Sequence, residues 1–436
     1  MTARLPGLLL PLRRKTDILL QKGKIVMTAQ TAQNTNPYEV IIIGAGASGL
    51  MCAASPAWAR NGETGALDEK RLVLEGGKRC GLKLLMSGGG HCNITHEGNM
   101  RDLLGAYGDA GKVLRAVLYK YGNRDSMQFL EQAGVPLYAD ETGRVLPVSM
   151  KAQDVLDAYL KAARENGFAV RREERVNSIN KQDNCYCIHT ESHSFKTCKV
   201  VIATGGCSYP TTGSDGGMFE VLQRDLGVAV SPLSPALVPV IPEDYPYEEL
   251  AGITIPHVRI SIHRDGQKSV HREGALLFTH GAFSGPCALD ISSHAARGSR
   301  IALSYIHPMT FDDAYAAIRA QGLRTGKAVA AAFALPKRLA ALLVQRAADS
   351  PKRLAHLLTE DTFVVKDTEG FKTAMVTKGG AALSQVNMTT MELKDHPGIY
   401  IIGEALDADA ISGGYNLQLC WSTAQAAAFA AAADIR

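Results

Sequence analysis

Glycines set at fixed intervals beside an apolar run are the first residues of this 436-residue chain that could do chemistry. Gly44-Ala45-Gly46-Ala47-Ser48-Gly49 follows Val40-Ile41-Ile42-Ile43, which reads as a strand buried on both faces of a parallel sheet. In that context Gly44 permits a tight turn, Gly46 lets the backbone approach a pyrophosphate, and Gly49 lets helix and strand pack closely. A helix beginning near Ser48 would aim its free amides and dipole at the phosphate, and Pro56 should kink or shorten that helix. Glu75 closes a second strand over Arg71 to Leu74, where a carboxylate would accept a hydrogen bond from an adenosine ribose. It lies further from the glycines than is usual, and the polar insertion from Asn61 to Lys70 accounts for the excess. Strand, glycines and acid in this order predict a dinucleotide site; the rival reading of Glu75 is a solvated strand end.

A second group runs from Lys83 through Ser87-Gly88-Gly89-Gly90-His91-Cys92-Asn93, where successive glycine amides, a cation and polar side chains can cradle an anion. The rival is a flexible loop. Val200 to Ala203 reads as another buried strand ending in Thr204-Gly205-Gly206, and Gly398 to Ile402 as one ending in Gly403-Glu404. Gly413-Gly414-Tyr415-Asn416 then opens an alanine-rich helix whose amino terminus, aimed at a flavin's pyrimidine edge, would stabilise charge arriving on reduction. Asn416 as the cap of a packing helix is the alternative. His280, in Thr279 to Gly285, could donate a proton near neutral pH or could simply bond its glycine-rich turn; Tyr415 and Lys378 are weaker proton donors. Cys185, Cys187, His189, His193 and Cys198 lie close together, but the first three alternate on one strand face and match no finger spacing, so no metal is expected. The only close cysteine pair on the sequence is Cys185 with Cys187.

These residues need elements to hold them. With 46% hydrophobic and 21% charged residues the chain is an ordinary globular protein, and disulfide scaffolds, disorder and fibrous repeats are excluded. The net charge of +4 comes from a leader: residues 1–36 hold six basic residues and one acid, leaving 41 against 42, or −1, for the rest. Net charge therefore does not argue for nucleic acid, and Met27 is an alternative start. The leader lacks a cleavage site, the nine cysteines form no framework, and Leu417 to Ala433 reads as a buried helix, so a cytoplasmic protein without a membrane span is expected. From Ala236 to Ile262 short Pro, Val and Ile-rich pieces predict antiparallel strands. Residues 311–358 predict helices, for example Ala328 to Gln345, whose basic residues read as a solvated face.

The chain resembles the BaiN/YhiN-type flavoproteins, described as NAD(P)/FAD-dependent or aminoacetone oxidase-like oxidoreductases. The resemblance runs from about Tyr38 to the carboxyl terminus, on five motifs in order: Lys83 to Thr95, Gly143 to Val155, Ala203 to Gly216, Leu276 to Pro286 and Gly403 to Gln418. It implies an α/β fold with a discontinuous Rossmann-type FAD-binding domain (37–225 and 360–436), an inserted β-rich domain (226–310) and a helical insertion (311–359), after a leader (1–36). By the same resemblance Gly44, Gly46, Ala47, Ser48 and Gly49 would meet the FAD pyrophosphate, Glu75 the adenosine ribose, and Lys83, Gly88, Gly90, His91, Cys92 and Asn93 the centre of the cofactor. Val176 would offer its backbone to the adenine, Thr204, Gly205 and Gly206 would line the cleft, and Gly403, Glu404, Asn416, Leu417 and Gln418 would approach the ribityl chain and ring. The family commonly has Arg at His91, Glu at Ala275 and Gln385, and Gly at Thr423.

The activity implied is FAD-dependent oxidoreduction, with NAD(P)H docking transiently because no second strand-GxGxxG-helix unit is present. The expected reaction is reduction of a polarised double bond, in a uracil of ribosomal RNA or a small enone, with His280 as the catalytic proton donor. Alternatives are an aminoacetone-type amine oxidase using oxygen and a non-enzymatic, flavin-stabilised RNA-binding protein. The sequence carries nothing on oligomeric state.

Overall fold

The run Val40–Ile43 has no polar residue and is buried along its whole length, which places it at the centre of a sheet covered on both faces. In the computed structural model, which describes residues 20–21, 24–25, 37–59, 70–263 and 269–433, it is the middle of five parallel strands. Their order is Ile399–Ile401, Val200–Ile202, Val40–Ile43, Arg71–Leu74, Ala169–Arg171. The last strand of the chain thus lies next but one to Val40–Ile43, across Val200–Ile202, so the sheet is assembled from both ends of the sequence. The leader lies outside the described residues except for Leu20–Gln21 paired with Lys24–Ile25, and residues 61–69 of the polar insertion lie outside them too.

Helix Ala47–Ala53 is short because Pro56 cannot continue it; the chain restarts as a 3-10 turn with Pro56 in its first position and Ser55 as cap. The final helix, Tyr415–Ala433, packs across it. Its alanines let two backbones approach closely, which explains an almost uniformly buried helix of 19 residues. Among the described residues no helix is long and apolar enough to cross a membrane.

Beyond the sheet lies a three-stranded meander, Val176–Gln182, Cys185–Thr190 and Ser194–Thr197. Here the close cysteine pair is Cys185 with Cys198, joined across the base of the hairpin, whereas Cys187 bonds the Gln182 side chain. The antiparallel strands expected after Ala236 close into a six-stranded barrel: Val240–Pro242, Phe283–Ser284, Val270–Phe278, Thr254–His263, Arg300–Ser304 and Asp361–Thr368. The last strand corrects the sequence division, which left 360 onwards to the nucleotide-binding part. Its alternating burial against Arg300–Ser304 makes it a barrel wall.

The helical insertion leaves the barrel after Arg300–Ser304 and returns at Asp361–Thr368. It holds four helices, Phe311–Gln321, Gly326–Phe333, Lys337–Ala347 and Pro351–Thr359. The continuous helix expected over Ala328 to Gln345 is broken at Ala334, in the left-handed region, and Pro336, whose ring pushes Leu335 out of the helical region. A buried polar knot fixes the module to the barrel: Arg346 grips Asp361 with two hydrogen bonds of 2.8 Å, and Tyr247 and Tyr305 donate to the same carboxylate.

Candidate functional site

The GxGxxG turn joins the central strand to the short helix, and each glycine does a different job. A Cβ on Gly49 would overlap the Gly44 carbonyl oxygen, and one on Gly44, at φ +104°, would press on Ala203. At Gly46 a Cβ would meet nothing within 4 Å, and no side chain caps the helix there. Backbone amides therefore face open space across the carboxyl ends of parallel strands, the position of the ligand crevice in open α/β sheets. Ala47 is half-buried and Ser48 buried beneath the turn, where Gly403 packs so closely that its Cβ would sit 2.7 Å from Ser48.

Glu75 stands at the end of the neighbouring strand, as its position predicts. Its carboxylate accepts from the amides of Ala45 (2.8 Å) and Gly77 (2.7 Å), which locks it to the glycine turn while leaving lone pairs for a further donor. Val176 begins the meander beside it, because Glu174 bonds back to the Glu75 carbonyl. Thr204 borders the opposite wall, where its buried hydroxyl has no partner among the described residues. An unmet buried hydroxyl and an open glycine cradle fit a bound dinucleotide. Gly205 and Gly206 leave room for Ser214 and Thr377.

The second glycine loop turns through Gly88, Gly89 and Gly90, all at positive φ, and a Cβ on Gly89 would again meet open space. Lys83 at its root is not a free cation. Its ammonium pairs with Glu404 at 2.5 Å and bonds Ser208, while Glu404 also accepts from Ser208 (2.7 Å) and from the Thr377 amide (2.8 Å). Thr377 in turn accepts from the amides of Cys207 and Ser208. This knot draws together four separate stretches of chain, and neither Ser208 nor Thr377 stood out as a site residue. Ser208 lies inside the Ala203 to Gly216 motif, but Thr377 carries no sequence signal.

Other expected contacts turn inward. Asn93, with its side-chain amide turned so that both ends find partners, donates to the Thr95 carbonyl (3.1 Å) and accepts from the Gly414 amide (3.0 Å), tying the loop to the start of the final helix. Gln418 is fully buried and bonded to Thr95, Ser126, Ser422 and Tyr121, so its side chain braces the core rather than a cofactor. Asn416 bonds the Ala410 backbone at both ends of its amide, and Leu417 is half-buried. Cys92 is buried and its thiol is pushed up to about 12 by that burial, so it stays neutral. Exposed His91, where the family has Arg, bonds the Met150 carbonyl at 2.9 Å. Thr423, where the family has Gly, accepts from the Gly403 amide at 3.0 Å.

His280 lies in the barrel, at the turn between Val270–Phe278 and Phe283–Ser284. The turn is held by Thr279 bonding Ala282 and by the Tyr245 hydroxyl, not by the His280 ring, which is exposed. No contact among the described residues joins His280 to Lys83, Glu404 or the glycine loops. The barrel meets the cleft instead through helix Gly285–Ile291, whose Asp290 accepts from the Ser412 amide at 2.7 Å. Lys378 approaches the Ser293 carbonyl at 3.5 Å, and Tyr415 stacks on His96 at 5.2 Å.

A family model, described as the HI0933-like protein Rossmann domain, matches residues 38–430. The chain belongs to the HI0933-like family. This HI0933-like protein is 30% identical over 406 residues to the ribosomal RNA dihydrouridine synthase of Escherichia coli K12, covering 90% of this chain and 97% of the relative. It is 27% identical over 412 residues to the 3-dehydro-bile acid delta(4,6)-reductase of Clostridium scindens, covering 90% and 98%. A solved 3-ketosteroid dehydrogenase from Rhodococcus jostii superposes at TM-score 0.47 and 14% identity over 92% of this chain and 98% of that one, a level that supports no functional argument. The membership is the one that the five motifs implied, and on it this HI0933-like protein is a flavoprotein oxidoreductase of Rossmann-type α/β fold.

Proposed function

We propose that this protein binds FAD in the cleft between its two glycine loops and reduces the C5=C6 double bond of a uracil in ribosomal RNA, with NAD(P)H as the donor. The observation that carries the substrate is the 30% identity, end to end, to a ribosomal RNA dihydrouridine synthase. The second reading, a small enone, is favoured by the bile-acid reductase at 27% over the same span. The net reaction balances as NAD(P)H plus a proton plus uracil giving NAD(P)⁺ and dihydrouracil. Bound FAD supplies the two-electron store that links donor to substrate.

The chain's own residues do the rest. The open amides at Gly46 and Gly89 hold the anionic centre of the cofactor, and Glu75 receives the adenosine ribose. The Lys83–Glu404 pair, with Ser208 and Thr377, fixes the two ends of the Rossmann unit around it. One carbon of the reduced bond needs a proton, and the exposed imidazole of His280 is the donor we assign.

The test is a yellow protein that releases FAD and bleaches with anaerobic NADPH, followed by mass analysis of ribosomal RNA from cells with and without the gene. Loss of a two-hydrogen mass increment on deletion, restored by the wild type and poorly by His280→Asn, is expected. Unchanged RNA masses, with bleached flavin reoxidised by an enone, would move the substrate to the second reading. Full restoration by His280→Asn would remove that residue from the reaction.

A further inference from the structure

The helical insertion holds eight lysines and arginines against three acids between residues 311 and 359, a surplus of five in a chain whose net charge is only +4. Arg346 is spent on Asp361 and Arg338 on the Glu249 carbonyl, and the topology gathers five of the other cations. Helices Phe311–Gln321 and Pro351–Thr359 continue from paired barrel strands, and Phe311 packs on His356 with ring centroids 4.3 Å apart. The start of the first helix and the end of the last therefore lie at the barrel. Asp312 and Asp313 are at that end, where Asp313 completes a capping box with Thr310.

The opposite end carries Arg319, Arg324, Lys327, Lys352 and Arg353. All five are exposed, and none forms an ion pair among the described residues. Arg324 and Lys327 follow the end of Phe311–Gln321 within six residues, and Gly326 packs against Ala341 of Lys337–Ala347. Only Asp349 opposes them in the connecting turns.

Their placement opposes helix stability. Lys327, Lys352 and Arg353 occupy first turns, which contain no acid. The positive end of the helix dipole there disfavours a cation. From this charge segregation we infer that the outer end of the helical insertion is the docking surface for the phosphate backbone of an RNA. The inference rests on the ribosomal RNA reading of the site and says which part of the molecule carries the polyanion. Outside residues 1–36 and this insertion the chain carries 33 basic against 39 acidic residues, so the folded remainder has no surplus of positive charge.

The test compares the full-length FAD-loaded protein with a quadruple reversal (Arg324→Glu, Lys327→Glu, Lys352→Glu, Arg353→Glu) and with a control reversal of exposed cations elsewhere (Lys112→Glu, Arg115→Glu, Lys120→Glu, Lys161→Glu). Protein-free ribosomal RNA and poly(U) are the probes, titrated over a series of salt concentrations. NADPH oxidation with an artificial electron acceptor reports that each variant is folded and loaded. At about 0.7 units of log–log salt slope per phosphate contact, the quadruple reversal should flatten the slope by about 3 and weaken binding roughly a hundredfold at physiological salt. The control should keep most of both. Equal losses in the two variants, or none in the first, would overturn the inference even if dihydrouridine still forms. Loss confined to the first variant would sustain it even if ribosomal RNA masses proved independent of the gene, in which case only the substrate reading fails.

Discussion

At the level of single residues, Gly46 offers the sharpest separation of folding from binding. Nothing in the protein lies within 4 Å of where its Cβ would be, and its φ of −81° suits any residue. Gly46→Leu should therefore fold normally and emerge colourless, because only a bound pyrophosphate would occupy that space. Unchanged far-ultraviolet circular dichroism with loss of the flavin absorption band checks this, and retained FAD would contradict the placement of the cofactor. The glycine turn was legible in the sequence because its geometry is local: six consecutive residues specify turn, approach and packing. The Lys83, Ser208, Thr377 and Glu404 knot was not, since its members are separated by up to 321 residues and are ordinary residue types. Gln418 shows the reverse error. Its motif marked it for a ligand, yet it falls on the inward face of the final helix and spends every polar atom on the core.

The elements of the barrel and helical insertion are held by one ion pair that the sequence did not announce. Asp361 is almost fully buried and receives Arg346 together with two tyrosine hydroxyls. Removing one partner of a buried pair strands the other charge, so Arg346→Met should destabilise by about 3–5 kcal/mol. Denaturant unfolding followed by tryptophan and tyrosine fluorescence measures this, and the double variant with Asp361→Leu should recover part of the loss. Recovery is expected because apolar replacement of a whole buried pair is often near neutral. The helices themselves were predictable from alanine and leucine spacing. Their division at Ala334 to Pro336 needed the proline to be weighed above the periodicity, since a proline excludes its predecessor from the helical region.

For the molecule as a whole, the contact between barrel and nucleotide-binding part sets a pH dependence. Asp290 accepts from Ser412 across that contact, and burial raises its carboxyl above the ordinary value, more than the hydrogen bond and the nearby Arg272 lower it. A carboxyl raised in the folded state contributes stability below its unfolded value near 3.9, and that contribution is lost as pH rises through the folded value. Asp290→Asn keeps an acceptor for the Ser412 amide without the charge. It should melt above the wild type at pH 8, with the gap closing toward pH 4, in thermal denaturation at several pH values. A wild type that melts higher at pH 8 would mean that the charged hydrogen bond outweighs desolvation.

The sequence by itself determined the Rossmann-type strand, turn and helix, the acid after the second strand and the family, because each of these is written in consecutive residues or in motifs that keep their order. Only the tertiary structure decided which motif residues are buried in the core, that residues 361–368 belong to the barrel, and that Arg319, Arg324, Lys327, Lys352 and Arg353 stand exposed while Arg346 is spent on Asp361. These depend on which segments the fold brings side by side. A pairing between distant residues is specified by burial and complementary polar groups in three dimensions, and neither leaves a periodic or compositional trace along the chain.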